Sequence, residues 1–120
     1  MKENIIKEKS LKFAIKIVKL YKFLKEEKSE FVISKQLLRS GTAIGALVYE
    51  AEHAESKADF IHKLSIAQKE TNESFYWMEL LKRTEYISIE EFNSINTEAI
   101  ELILILSKII ITTRKNLIVN

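Results

Sequence analysis

An all-α fold, an antiparallel up-down-up-down four-helix bundle, is what three observations predict. The 120-residue chain contains no proline and two glycines, Gly41 and Gly45, too few turn residues for the many reversals of a β-sandwich or barrel. Lys, Glu, Leu, Ala and Ile dominate the remainder, and most of these are strong helix formers. Apolar residues recur at three- and four-residue spacing, and the breaks between periodic segments carry helix-start signals. The length fits one domain over residues 1–120 with a single core.

The first helix is expected over about residues 10–28, with Ser10 as its N-cap. Phe13, Ala14, Ile17, Leu20, Tyr21 and Leu24 form its apolar face. Lys9, Lys12, Lys16 and Lys19 share a neighbouring side. The second helix is expected over residues 30–55, capped by Ser29 and facing inward with Ile33, Leu37, Ile44, Leu47 or Val48, Ala51 and Ala54. Gly41 and Gly45 fall one turn apart on it. Each costs about 1 kcal/mol of helix stability relative to Ala, so their pairing points to a neighbouring helix packed close to the backbone.

Ser56 and Asp59 have capping-box spacing and open a third helix over residues 57–84, with Phe60, Leu64, Ala67, Thr71, Phe75, Met78 and Leu81 inward. Ser88 and Glu91 repeat the box and open the fourth, over residues 89–115. The connections are short, which makes consecutive helices antiparallel neighbours. The fourth helix contains Leu102 to Leu106 without interruption and then Ile109 to Ile111. Such a run is apolar on every side, whereas a peripheral bundle helix needs one stripe. Another subunit is the expected cover, with Leu102, Ile105 and Ile109 as assembly positions; the alternative is a helix central in its own bundle.

Composition narrows the function. The chain has no cysteine, which excludes disulfides and thiolate metal sites and suits a reducing cytoplasm. The charged first ten residues lack the apolar centre of a signal peptide, and the apolar run at 100–111 is too short and too charged to span a bilayer. The net charge of +2 conceals 11 Lys and Arg against 5 Glu over residues 1–39, and 8 against 12 Asp and Glu over residues 40–120. A basic first third suggests an anionic partner or subunits that pair unlike regions.

Three constellations are candidates for chemistry. Glu50 and His53, with Asp59 and His62, have the Glu-x-x-His spacing of carboxylate-bridged metal bundles. They sit at a bundle end, without matching acids from the first helix, and are read as solvated helix ends; neither metal nor cofactor is expected. Arg39 with Glu50, Glu70 and Glu73 is read as an ion-pair network. Lys9, Lys12, Lys16 and Lys19, with Arg39, are the candidate phosphate contacts. There is no phosphate-binding glycine loop and no nucleophile elbow, and no enzyme activity is expected.

The segment from Arg39 to Ala46 (Arg-Ser-Gly-Thr-Ala-Ile-Gly-Ala), followed by Glu50 to Ala54, Ser56 to Ala67, Lys69 to Ser74 and Tyr76 to Leu81, resembles the bacterial 23S rRNA intervening-sequence protein family. The resemblance is close over the second and third helices and a matter of pattern over the first and fourth. It implies a four-helix bundle assembled into a homopentameric, barrel-like ring. It also implies kinship with accessory proteins of diversity-generating retroelements, which contact nucleic acid and a reverse transcriptase. Leu47-Val48 stands where the family commonly has Asn-Ile, and Tyr49 where a small residue is usual. The expected function is thus a non-catalytic homo-oligomer associated with RNA or DNA, with a scaffold for a protein partner as the second reading.

Overall fold

The computed structural model describes residues 2–119, with side chains over residues 5–116. Four helices follow one another: α1 (Lys2–Lys28), α2 (Ile33–Ala51), α3 (Lys57–Arg83) and α4 (Ile89–Val119). Each packs on its sequence neighbours, and α4 returns to α1. Neither diagonal pair is in contact among the described residues, so the bundle is square in section, 53 × 22 × 20 Å overall.

The core follows the heptad-like spacing of the sequence. Ile6, Phe13, Ile17, Leu20 and Leu24 of α1 meet Leu37, Ile44, Val48 and Ala51 of α2. Leu64, Ala67, Met78 and Leu81 of α3 and Phe92, Ile95, Ala99, Leu102, Leu106 and Ile109 of α4 complete it. Phe60 and Phe75, expected inward, pack at its margin, and Thr71 and Ser74 are buried. The hydroxyls of Ser40 and Ser74 bond across α2 and α3 at 2.9 Å, so the buried polar pair satisfies itself.

The helix starts differ in instructive ways. α1 begins well before Ser10, which lies mid-helix and buried, its hydroxyl donating to the Lys7 carbonyl at 3.1 Å. Ser29 ends α1 instead of capping α2, with a φ of 52°. The N-cap position of α2 is Val32, which makes no side-chain bond. Glu30, two residues earlier, covers the helix start: the N–H groups of Val32, Ile33 and Ser34 donate to its carboxylate at 3.1, 3.0 and 2.6 Å. A carboxylate serves well here because three unpaired N–H groups and the positive helix end converge on it. α2 is accordingly shorter than expected at both ends.

The box at Ser88 forms in full and that at Ser56 in half. Ser56 Oγ accepts from the Asp59 N–H at 3.0 Å, while the Asp59 carboxylate accepts from the Glu55 N–H at 3.2 Å, one residue before the cap. Ser88 and Glu91 exchange bonds at 2.9 and 3.1 Å. α3 ends on Glu85, at φ 66°, with Tyr86 N–H donating to the Leu81 carbonyl, a Schellman closure.

The glycines meet α1. A Cβ on Gly41 would lie 2.9 Å from Ile17 Cγ1, and one on Gly45 would lie 3.4 Å from the Ser10 carbonyl oxygen. α1 and α2 are thereby drawn together.

Candidate nucleic-acid interface

At 100° per residue, Lys9, Lys12, Lys16 and Lys19 share one flank of α1. That flank turns toward α4. Lys9 Nζ pairs with Glu101 at 3.0 Å. Lys16 Nζ pairs with Glu98 and donates to Ser94 Oγ at 2.8 Å. Lys12 and Lys19 form no ion pair among the described residues, although both border the seam, where Lys12, Ile15, Lys16, Lys19 and Glu98 line a shallow depression of ≈ 300 Å³. The lysine row therefore divides into two cations matched by carboxylates and two that are not.

Arg39 is remote from this row. It lies on the α2–α3 side, where its guanidinium reaches Glu70 at 3.1 and 3.3 Å and Glu73 at 2.6 Å. The Trp77 indole N–H donates to the same Glu73 oxygen at 2.9 Å. That indole bond and then Arg39 hold the Glu73 carboxyl below the usual range, while the two glutamates push the Arg39 pKa up. Glu50 does not belong to the network; it pairs with Lys63 at 3.1 Å. Arg39 is thus a tie between α2 and α3, on the face opposite the lysines.

The assembly positions also differ. Leu102 and Ile109 are enclosed by the bundle's own core and Ile105 is half-buried, so none offers the open face that the sequence pattern implies. Among the described residues, the large apolar side chains that α4 leaves outside are Ile89, Ile100, Leu104 and Ile111, with Ile89 65% and Leu104 64% exposed. They lie on the flank away from Glu98 and Glu101, the same flank on which Ser107 accepts from Gln68 of α3. α1 has its own exposed row, Leu11, Ile15 and Val18. Leu11 and Val18 lie toward the flank where Lys7 reaches Glu52 of α2, whereas Ile15 also borders the depression lined by Lys12, Lys16 and Lys19. By helix geometry Leu11 and Val18 incline to the α1–α2 face of the square bundle, and the α4 row inclines to the α3–α4 face. Tyr49 extends the first, exposed beneath Lys7 Nζ, which lies 5.2 Å from the ring centroid.

His53 and His62 are exposed at the α2–α3 end. Among the described residues no group of three or more His, Cys, Asp or Glu is placed to hold a metal ion. No helix of the described residues is long and apolar enough to cross a membrane.

Residues 2–108 match the 23S rRNA-intervening sequence protein family. The chain belongs to that family. A crystal structure of a Bacteroides thetaiotaomicron protein of unknown function, from the S23 ribosomal protein family, superposes with a TM-score of 0.91 at 60% identity. The alignment covers 92% of this chain and 98% of that one. No curated protein matches. The match of this intervening-sequence protein extends through α1 and most of α4, beyond the helices whose residues carried the resemblance.

Sequence reasoning missed the acids opposite the lysines, Glu98 and Glu101, and the outer apolar rows. The signal for the acids was partial: they are three residues apart on one flank of α4, but the lysines they pair with are seven apart, so the offset between α1 and α4 is needed to pair them.

Proposed function

We propose that this intervening-sequence protein is a non-catalytic subunit that assembles with its own copies into a closed ring, pentameric as in the family resemblance, and that the ring associates with nucleic acid. The observation that carries the assembly is the pair of exposed apolar rows on opposite faces. A two-fold dimer uses one patch twice, whereas two unlike patches on opposite faces favour a head-to-tail contact, which closes into a ring when the rotation allows. Family membership and the α1 lysines support the nucleic-acid partner. Repetition of Lys12 and Lys19 around a ring would supply by avidity what a subunit of charge +2 lacks.

Light scattering of purified protein fixes the mass, and binding to duplex RNA, duplex DNA and single strands across a salt series tests the rest. Affinity that falls steeply between about 50 and 200 mM salt, and that is lost when Lys12 and Lys19 are both replaced by Gln, supports the proposal. A monomer in solution overturns the ring; no binding at low salt overturns the nucleic-acid partner. The second reading, a scaffold for a protein partner such as a reverse transcriptase, draws on the pairing of Lys9 and Lys16, which lessens the charge presented to phosphates. It predicts a partner that stays bound after nuclease treatment.

A further inference from the structure

We infer that Glu98 and Glu101 are specificity-determining residues that compete with phosphate for Lys16 and Lys9. The inference rests on the nucleic-acid reading and adds to it an internal competitor on the same face.

The geometry is specific to two lysines. Lys9 and Lys16 each have a carboxylate of α4 at contact distance, and Lys16 has the Ser94 hydroxyl as well. Lys12, between them in sequence, and Lys19, one turn beyond, have no such carboxylate among the described residues. A depression between Lys9, Lys12, Glu98 and Glu101 marks where an approaching anion would meet both signs of charge. A phosphate can engage Lys12 or Lys19 without displacing a paired carboxylate, although at Lys12 the acids are near. To engage Lys9 or Lys16 it must displace a carboxylate, which then stays nearby and repels it. These pairs are part-exposed, so screening and side-chain freedom keep each one weak enough to exchange.

The face therefore has two grades of cation. Weak, salt-sensitive contact uses the unmatched pair. Full contact requires a ligand whose phosphates are dense enough, and positioned well enough, to replace both carboxylates together. A polyphosphate backbone held against several subunits meets that condition better than an isolated phosphate.

The test uses the full-length protein and two fluorescent probes, an RNA duplex of about two helical turns and a single strand of the same length, titrated at several salt concentrations. Five proteins are compared: wild type, Glu98→Gln/Glu101→Gln, Lys9→Gln/Lys16→Gln, the variant combining these four changes, and Lys12→Gln/Lys19→Gln. The acid-to-amide variant should bind at least about tenfold tighter at low salt. Its salt slope should be steeper by about 1.4 to 1.8 per subunit engaged, as expected for two added phosphate contacts at about 0.7 to 0.9 each. The lysine changes should have little effect in the wild-type background and a large one in the acid-to-amide background, a non-additivity that reports the competition. Circular dichroism and light scattering of each variant establish that fold and mass are unchanged. If Glu98→Gln/Glu101→Gln binds with wild-type affinity and slope while Lys12→Gln/Lys19→Gln abolishes binding, the competition is refuted and the nucleic-acid reading stands. If no lysine change alters binding in either background, both are refuted.

Discussion

Glu30 shows how one side chain decides a connection. It is 7% exposed, yet it stays charged because the N–H groups at the start of α2 converge on it. Burial alone would raise its pKa; the bonds from Ile33, Ser34 and Val32 outweigh that and hold it below the usual carboxylate range. A carboxyl lowered in the folded state stabilises the fold above its unfolded pKa, and that contribution disappears as pH falls through the folded value. Replacing Glu30 by Gln should therefore remove about 1 kcal/mol at neutral pH. It should also flatten the loss of stability between neutral and strongly acidic pH, read by urea unfolding at each pH. Ser29 and Glu85 occupy the left-handed region, where a side chain costs about 1 kcal/mol or more. Ser29→Gly and Glu85→Gly should each raise stability by about 0.5–1 kcal/mol. A fall in denaturation midpoint would contradict this.

Among the elements, the α1–α2 pair is the most constrained. Gly41→Ala gains helix propensity, but its methyl group would press on the β-branched Ile17, and overpacking of this kind costs about 1–3 kcal/mol. Gly45→Ala meets only a contact near the ordinary limit. Its effect should stay within about 1 kcal/mol, because propensity and contact oppose each other. Thermal unfolding of the two variants side by side distinguishes them; equal losses would contradict the geometry. Legibility varies in the same way. The boxes at Ser56 and Ser88 and the core rows of α2 and α3 can be read directly, because capping and periodicity are local. Ser10 misleads because a serine ahead of an apolar face looks like a cap, while mid-helix it can bond back to its own preceding turn. The run from Leu102 to Leu106 is harder still. Its composition does not say which side is inward, and only packing assigns Leu102 and Leu106 to the core and Leu104 to the surface.

At the scale of the molecule, two unlike faces make assembly testable without knowing its function. Leu11→Glu damages the α1–α2 face and Leu104→Glu the α3–α4 face, and each residue is exposed, so the bundle itself should remain intact. Either variant alone should fail to form rings. Mixed in equal amounts, they retain one sound pair of faces between them and should form dimers that grow no further, measured by light scattering. Rings restored by mixing would contradict a head-to-tail contact. The lysine row and its acids are legible separately but not as partners, since Lys16 and Glu98 stand 82 positions apart in the chain. That separation has a consequence during synthesis. α1, α2 and α3 can pack as each leaves the ribosome, but the seam with α4 must wait for its 31 residues, about 2–6 s at about 5–20 residues per second. Until Glu98 and Glu101 emerge, Lys9 and Lys16 have no carboxylate of α4 opposite them, so both cations stand open while the nascent chain is still beside ribosomal RNA.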